Sequence, residues 1–277
     1  RIRNTLRYLL GNLDGFDAGE RVDISEMPEL ERWVLHRIWE MDQLVRKTTD
    51  EFEFHEQWTA LHNFCAVELS AFFFDIRKDA LYCDGDDSLR RRAARTVLDT
   101  LFSHLTAWLA PMMCFTAEEA WLARAGADDA ESVHLRTYPD VPDAWRDDVL
   151  AAKWEKIRRL RRVVTGALEI ERAEKRIGSS LQAAPTVYAD ADTIAAMDGV
   201  DLAEISITSA AELVAGDVPS DAFTLDDIEG IGVLPALAEG EKCARCWQVL
   251  PDVGSHAEED ICGRCASAVT NKKEAAA

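Results

Sequence analysis

Four cysteines near the end of the sequence have the type and spacing of a metal site. Cys243 and Cys246 form one C-x-x-C pair, and Cys262 and Cys265 form a second pair after fifteen intervening residues. Each pair places two thiolates close enough to share an ion, and four thiolates complete the tetrahedral shell of Zn²⁺. Thiolates also select zinc over hard ions such as Mg²⁺. Because the protein fills all four positions, the pattern predicts one structural zinc ion.

Other chemistry is open to the same residues. The pairs could be redox-active or could hold an iron–sulfur cluster, and His256, which lies between them, could replace one cysteine as a ligand. Metal binding is favoured because the chain has seven cysteines, an odd number, and no secretory signal peptide. These features indicate a reducing compartment, and we expect the cytoplasm.

Two side chains at the first cysteine pair have chemistry suited to RNA. Arg245 lies within the pair, and Trp247 follows it directly. A guanidinium can bind phosphate, and an indole can stack on an unpaired base. The alternative is that Trp247 packs against the preceding α/β element while Arg245 is simply solvated.

The charge of the chain is strongly acidic but unevenly distributed. There are 31 Lys and Arg residues against 51 Asp and Glu residues, a formal net charge of −20, which disfavours nucleic-acid binding because phosphate contacts need cations. Residues 188–240 contain twelve acidic side chains and no Lys or Arg, whereas residues 153–176 carry nine basic and four acidic ones. The first ten residues contain Arg1, Arg3 and Arg7 and no acid. Any anion-binding surface must therefore be a local basic patch.

Helical periodicity dominates the first two-thirds of the chain. Apolar residues recur every three or four positions through four segments, near 2–13, 28–45, 54–82 and 88–108. Long helices with short connections make an antiparallel bundle. We therefore predict a helical bundle over residues 1–144 and a long basic connecting helix over residues 145–177.

The pattern changes after residue 177. Alternating apolar residues predict a small acidic α/β element over residues 178–240, with strands at 184–189, 204–208 and 231–237 and a helix near 192–197. A zinc knuckle follows at 241–270 and a frayed tail at 271–277. The predicted fold class is mainly α: an antiparallel helical bundle, then a small α/β element, then a C-terminal four-cysteine zinc knuckle.

The sequence shows neither a membrane segment nor a natural start. No apolar run approaches the roughly 20 residues that a membrane-spanning helix needs, so we expect no membrane contact. The chain begins at Arg1 inside a helical pattern, without a Met or a capping residue. This beginning predicts a fragment of a longer protein.

Nucleophilic catalysis finds little support in the sequence. Cys65, Cys83 and Cys114 lie on helices or in apolar runs, where cysteine usually serves as a small core residue. His62 and Cys65 are three apart on one helix, but nothing nearby would orient the histidine. We predict no catalytic residue in this chain.

Several segments resemble the bacterial isoleucyl-tRNA synthetases, which are class I enzymes. The opening RIRNTLRYLLGNLDGF resembles the passage from the catalytic core of such an enzyme into its anticodon-binding bundle. The other similar segments are HNFCAVELSAFFFDIRKDALYC, LAPMMCFTAEEAW, ERAEKRIGSSLQA, and EKCARCW followed by ICGRC. The resemblance covers essentially the whole chain. Valyl, leucyl and methionyl relatives share a similar bundle, whereas the knuckle with Arg and Trp beside its second cysteine is the mark of the isoleucine family.

The resemblance implies roles for particular residues. The zinc ion would be held by Cys243, Cys246, Cys262 and Cys265. Arg245 and Trp247 would contact the anticodon loop. The helix that borders the anticodon stem-loop would present Arg1, Arg3, Asn4 and Arg7. The implied partners are tRNA(Ile) and the N-terminal catalytic and editing domains of the same parent chain, which we expect to be a monomer.

The chain also departs from the family. The HIGH and KMSKS signatures, which stabilise phosphate charge during aminoacyl-adenylate formation, do not occur, and the editing domain is missing. ATP and Mg²⁺ would therefore be used only by the parent catalytic core. The resemblance implies anticodon recognition and positioning as a non-catalytic part of an isoleucine–tRNA ligase. The alternative is a helical scaffold whose zinc ribbon docks a partner protein, which the acidic net charge favours.

Overall fold

The computed structural model describes residues 1–125, 131–256 and 259–275. The chain divides into two compact units, and each is described by itself. The first unit comprises Arg1–Leu81 and Asp86–Asp148, and the second comprises Tyr82–Gly85 and Val149–Ala277. The short segment Tyr82–Gly85 therefore belongs with the C-terminal part of the chain.

The first unit is a helical bundle, as predicted. Its helices are α1 (Ile2–Asn12), α2 (Glu29–Asp50), α3 (Phe54–Asn63), α4 (Phe74–Cys83, whose last two residues belong to the second unit), α5 (Leu89–Leu109) and α6 (Cys114–Ala125). Helix α5 packs against α1, α2 and α6. It begins at a cap in which Ser88 Oγ accepts from Arg91 N at 3.4 Å, and it buries Leu98, Phe102 and Trp108. The apolar periodicity of the sequence is thus satisfied by helix-on-helix packing.

The predicted third helix is continuous but not uniform in pitch. Phe64–Phe73 join α3 to α4 as a π-helical segment. In this segment Ser70 Oγ donates to the carbonyl oxygen of Cys65, five residues earlier, at 2.7 Å. The buried rings of Phe72 and Phe73 lie here, and Phe72 meets Trp33 of α2 edge to face with ring centroids 5.4 Å apart. The wider turn presents neighbouring aromatic residues to the core together.

The second unit contains a long helix and a four-stranded sheet. These are α7 (Asp148–Ala173), β1 (Thr186–Ala189), β2 (Glu212–Ala215), β3 (Phe223–Leu225) and β4 (Ile228–Leu234), with the short helices α8 (Ala191–Ala196) and α9 (Leu202–Ser206). The strand order is β2-β1-β4-β3. Strand β1 is parallel to β2, and β4 is antiparallel to both β1 and β3.

Helix α7 packs against this sheet through a glycine. A Cβ atom on Gly166 would lie 3.0 Å from Cε1 of Phe223 in β3, so the missing side chain allows the close approach. The apolar side chains that α7 buries are Leu150, Trp154, Ile157, Leu160, Val163, Val164, Ala167 and Leu168. The predicted connecting helix is therefore also a core helix of the second unit.

One predicted strand is wrong. Residues 204–208 were expected to be extended, but Leu202–Ser206 form helix α9. The side chain of Asp201 caps this helix by accepting from Ala203 N at 2.9 Å and Glu204 N at 3.2 Å, and Ile207 ends it in the left-handed conformation with φ 58°. A local cap outweighs the short alternating pattern. The predicted strands at 184–189 and 231–237 correspond to β1 and β4, and the predicted helix near 192–197 corresponds to α8.

The C-terminal knuckle consists of a small hairpin and a helix. Strands β5 (Glu241–Lys242) and β6 (Val249–Leu250) pair antiparallel, and α10 spans Gly263–Ala275. Residues 271–275 thus continue a helix where the sequence analysis expected a frayed tail, and residues 276–277 lie outside the described part of the chain. The predicted domain ranges 1–144, 145–177, 178–240, 241–270 and 271–277 stay a prediction. In the described ranges we find no helix with the length and apolar character needed to cross a bilayer.

Candidate metal centre and nucleic-acid interface

Four buried sulfur atoms come together in the second unit. The Sγ atoms of Cys243, Cys246, Cys262 and Cys265 lie within 4.8 Å of one another, and those of Cys246 and Cys262 are 3.8 Å apart. All four side chains are buried. The fold therefore brings the two C-x-x-C pairs to a single point.

Local hydrogen bonds shape the first pair, and a helix presents the second. In the turn between β5 and β6, Cys243 N donates to Gln248 O at 2.8 Å and Trp247 N donates to Cys243 O at 3.0 Å. Trp247 closes this turn with φ 67°. The second pair lies at the N-terminal end of α10, where Cys262 precedes the helix and Cys265 lies in its first turn.

Backbone N–H groups and burial shift the pKa values of these thiols in opposite directions. Burial disfavours ionisation of Cys243, but the backbone N–H groups of Cys246, Cys262 and Arg245 favour its thiolate and lower its pKa to about 6. Burial raises the pKa of Cys265 to about 11 and also raises the pKa of Cys246. Ionising four thiols in so small a buried space requires a cation.

Zn²⁺ fits this set of donors. All four donors are buried sulfur atoms, and they lie close enough together to bind one ion. A d¹⁰ cation such as Zn²⁺ accepts the tetrahedral arrangement of four thiolates without a geometric penalty. His256, the alternative ligand, is directed elsewhere, since its Nε2 lies 3.3 Å from Oδ2 of Asp252. The same Asp252 oxygen accepts from Gly263 N at 2.8 Å at the start of α10. Asp252 thus fastens the loop between the cysteine pairs to the second pair.

Trp247 presents an exposed ring beside the sulfur cluster. The side chain is 62% exposed, and Lys242 Nζ lies 5.6 Å from the ring centroid. The alternative in which Trp247 packs against the α/β element is thus not what the fold shows. A large indole that stays in water on a rigid turn can stack on a flat ligand, and the nearby cation suits a phosphate.

Arg245 takes a different position from the one expected for an RNA contact. Its guanidinium points inward and donates to the carbonyl oxygens of Cys83 and Tyr82, the latter at 3.2 Å. A third hydrogen bond runs to Sγ of Cys265 at 3.5 Å. The side chain is half-buried, and these three acceptors occupy three of its five N–H donors. The predicted contact of Arg245 with RNA stays a prediction, and the geometry favours a role inside the protein.

The arginines of α1 lie on the first unit. Arg1, Arg3, Asn4 and Arg7 are all exposed. Arg3 forms a two-pronged ion pair with Glu119 of α6, with N–O distances of 2.6 and 2.8 Å, and this hydrogen-bonded pairing raises the pKa of Arg3 and lowers that of Glu119. A groove of about 180 Å³ lies here, lined by Arg3, Leu6, Arg7, Leu10, Thr116, Glu119, Ala120 and Ala123.

Part of the basic face of α7 pairs with the acidic element of its own unit. Lys156 Nζ lies 2.5 Å from Asp192 and Arg162 Nη1 lies 2.6 Å from Asp227. Arg161 donates to the carbonyl of Ile205 at 2.6 Å. Two of the nine basic residues of 153–176 thus pair with the acidic block of 188–240, which makes this part of α7 a poorer phosphate-binding surface.

The other cysteines have structural positions. Cys65 is fully buried in the bundle, and burial raises the pKa of its thiol to about 12, which disfavours the nucleophilic thiolate. Cys114 is exposed. Cys83, predicted from its position in the sequence to be an ordinary core residue, is buried against the four clustered cysteines, together with Leu250, Val253 and Ile261. Sequence spacing gave no sign of this, because Cys83 is 160 residues from the first pair.

Two family models match this chain. Residues 31–188 match a family described as the anticodon-binding domain of tRNA ligase. Residues 240–268 match a family described as a zinc finger found in FPG and IleRS. The zinc-finger match and the four-cysteine cluster together fit one structural Zn²⁺.

Curated relatives are similar over nearly the whole chain. The isoleucine–tRNA ligase of Agrobacterium fabrum is 53% identical over 271 residues, which is 97% of this chain and 28% of the relative. The enzyme of the same name from Ruegeria pomeroyi is 52% identical with the same coverage, and that of Caulobacter vibrioides is 51% identical over 92% of this chain and 26% of the relative. The chain therefore spans little more than a quarter of the length of these relatives.

Proposed function

This chain belongs to the family of anticodon-binding domains of tRNA ligases, and from that premise we propose that it recognises and positions the anticodon of tRNA(Ile). It would do so as one part of a bacterial isoleucine–tRNA ligase. ATP-dependent aminoacylation, with its Mg²⁺, and the editing reaction would take place in other domains of the parent chain, which we propose to be a cytoplasmic monomer. This chain would contribute binding energy far from the chemistry, and such energy can still select the substrate.

The observation that carries the proposal is the exposed indole of Trp247 on a cysteine knuckle. A ring that is 62% exposed contributes little to folding, but its position on a turn fixed by the metal centre preorganises it for stacking. Lys242 beside the ring adds a cation for the backbone of the same nucleotide. We propose Trp247 as the base-stacking residue, and Cys243, Cys246, Cys262 and Cys265 as the zinc ligands that hold it.

We also propose that α1 contributes phosphate contacts. Arg1, Asn4 and Arg7 are exposed on this helix, and Arg3 is held outward by Glu119. Guanidinium groups that bind phosphate add affinity without reading sequence. Replacing Arg7 with Ala should therefore weaken binding of every tRNA about equally and reduce the slope of log affinity against log salt by about 1.

A binding assay with Trp247→Ala tests the stacking role. Loss of one stacked base reduces affinity by between about fivefold and about 150-fold, so tRNA(Ile) should bind more weakly while an unrelated tRNA is little affected. The measurement is a mobility shift at low and moderate salt with both tRNAs. Trp58→Ala, which removes a partly exposed indole from the first unit, is the matched control. Undiminished preference for tRNA(Ile) in Trp247→Ala would sink the stacking role.

The rival function is a protein-interaction module. The net charge of −20 favours it, because most of the surface repels nucleic acid. The same assay separates the two functions. A scaffold that docks a protein should bind tRNA(Ile) and the unrelated tRNA equally poorly at both salt concentrations.

A further inference from the structure

The two cysteine pairs share one more residue. The first reads Cys-Ala-Arg-Cys and the second reads Cys-Gly-Arg-Cys, so Arg245 and Arg264 each precede the second cysteine of their pair. In the fold both arginines reach the same short segment, Tyr82–Gly85, which is distant in sequence but belongs to the same unit. The matching positions of Arg245 and Arg264 suggest that the two side chains have the same physical role.

Arg245 joins this segment to a sulfur of the opposite pair. Its guanidinium donates to the carbonyl oxygens of Cys83 and Tyr82 and, at 3.5 Å, to Sγ of Cys265. Tyr82 and Cys83 are the last residues of α4, and carbonyl groups at the end of a helix commonly accept from side chains. Arg245 therefore donates to the end of this helix.

Arg264 makes the complementary connection. Its Nη1 lies 3.1 Å from Oδ1 of Asp84, whose side chain is only 8% exposed. Its side chain also hydrogen-bonds to the side chain of Cys246. Each arginine thus touches the second cysteine of the other pair and one part of Tyr82–Gly85.

Cys83 completes the contact from the side of the segment. Its Sγ donates to the carbonyl oxygen of Arg245 at 3.7 Å, while its own carbonyl accepts from the Arg245 guanidinium. The side chain is 6% exposed and packs with the four clustered cysteines. Cys83 therefore lies against the cluster as a hydrogen-bonding neighbour and outside the set of four sulfurs that converge on one point.

Charge explains why two arginines are placed here. Four thiolates around one Zn²⁺ leave a net charge of −2 in a buried place, and a guanidinium beside a sulfur offsets part of it. We propose that Arg245 and Arg264 are positioning residues that latch Tyr82–Gly85 to the metal centre, so that binding of the metal orders this segment. This inference rests on the proposed metal ligands and does not require that the chain bind RNA.

The thiols of the chain allow a direct test. The full 277-residue chain, loaded with Zn²⁺, would be treated with iodoacetamide, and the labelling rate of each cysteine would be read by peptide mapping. In the parent, Cys83 should react slowly. In Arg245→Met and in Arg245→Met combined with Arg264→Met, loss of the charge-assisted hydrogen bonds should raise the rate at Cys83 by about tenfold.

Internal controls come from the same chain. The exposed Cys114 reports reagent activity, and the fully buried Cys65 reports unfolding of the bundle. Arg159→Met removes an exposed guanidinium from α7 and should leave the rate at Cys83 unchanged. If Arg245→Met also exposes Cys65, Arg245→Lys takes its place: the single nitrogen of lysine cannot occupy both Nη positions from which the guanidinium donates, so Cys83 should still react faster than in the parent.

Two results would overturn the latch. One is slow labelling of Cys83 in the zinc-loaded double variant, at the parental rate. The other is an equal rise in Arg159→Met. Weak tRNA binding by Arg245→Met with Cys83 still protected would instead support the RNA contact predicted from sequence, so the two roles of Arg245 are separable.

Discussion

The bundle contains a buried ion pair between α4 and α2. Arg77 of α4 binds Glu31 of α2 through two hydrogen bonds of 2.5 and 2.7 Å, and the side chains are 3% and 0% exposed. Arg3 and Glu119 make an equally well-aligned pair, but both side chains are more than 60% exposed. Removing one partner should cost more stability in the buried pair than in the exposed pair, because the charge that remains in the interior is not solvated by water.

Arg77→Met should therefore destabilise the chain by about 3–5 kcal/mol, since it leaves the Glu31 carboxylate buried without its cation. Arg3→Met removes the same chemical group from an exposed pair and should leave stability nearly unchanged. Urea unfolding followed by far-UV circular dichroism measures both. Equal losses in the two variants would contradict the argument from burial.

His104 makes the stability of the bundle depend on pH. Burial lowers the pKa of His104 below its ordinary value of 6.5, although its hydrogen bond with the carbonyl of Thr100 at 2.8 Å favours the charged ring. A depressed folded-state pKa means that protons bind the unfolded chain more tightly. The contribution of His104 is complete above pH 6.5 and is lost as the pH falls through the folded-state pKa.

Between pH 8 and pH 5 the parent should lose stability that His104→Phe does not lose, by up to about 1.4 kcal/mol per pH unit. The measurement compares the free energy of unfolding of the two proteins across this range. Every other titrating group is common to both, so only the difference in slope matters. Parallel pH profiles would rule out a buried neutral His104.

At the scale of elements, the end of α2 shows a strained cap. Glu53 N donates to Thr48 O at 2.8 Å and Phe52 N donates to Thr49 O at 3.2 Å, a termination that places Phe52 at φ 61°. This conformation favours glycine, and the ring of Phe52 is 78% exposed, although it meets Phe54 edge to face at 6.1 Å. The free-energy cost of the left-handed backbone conformation is therefore larger than the stabilisation from this mostly exposed ring.

Phe52→Gly should raise the free energy of unfolding by roughly 0.5–1 kcal/mol because it relieves the left-handed strain. Phe52→Ala is the matched control, since it removes the ring but keeps the Cβ atom, and it should give no such gain. Thermal unfolding of both variants checks the difference. Stabilisation by alanine as large as by glycine would show that the ring, and not the backbone, is responsible.

The elements that sequence periodicity predicted well are those that bury one long apolar face. The helices of the bundle and α7 are such elements, and their approximate extents follow from the sequence. Short elements of the second unit were less predictable. Helix α9 is decided by the Asp201 cap, and β2 and β3 are defined by their pairing with β1 and β4. Strand pairing depends on tertiary contacts, so the pattern of a four-residue segment predicts it poorly.

At the scale of the whole molecule, metal binding and helix packing stabilise different parts of the chain. The bundle buries a large apolar core, whereas the knuckle buries chiefly its four cysteines with Cys83, Leu250, Val253 and Ile261. A domain of that size draws most of its folding free energy from the metal. The two parts should therefore respond differently to a chelator.

Removal of zinc should release the knuckle and leave the bundle folded. Hydrogen exchange after treatment with a strong chelator should accelerate in residues 241–270 and stay slow in α5. Readdition of Zn²⁺ should restore protection, whereas Mg²⁺ should not, because thiolates bind it poorly. Loss of protection throughout α5 would show that the metal stabilises the whole chain. Elemental analysis of reduced protein gives the stoichiometry, with one zinc per chain expected.

The sequence by itself determined the parts that depend on local spacing. Two C-x-x-C pairs fifteen residues apart predict a four-sulfur metal site, and three- or four-residue apolar repeats predict helices. Only the tertiary structure decided which way Arg245 points, that Cys83 lies beside the metal centre, and that Lys156 and Arg162 of α7 pair with acids of their own unit. Those outcomes depend on contacts between residues far apart in sequence. For such contacts, neither the residue type nor the sequence spacing identifies the partner.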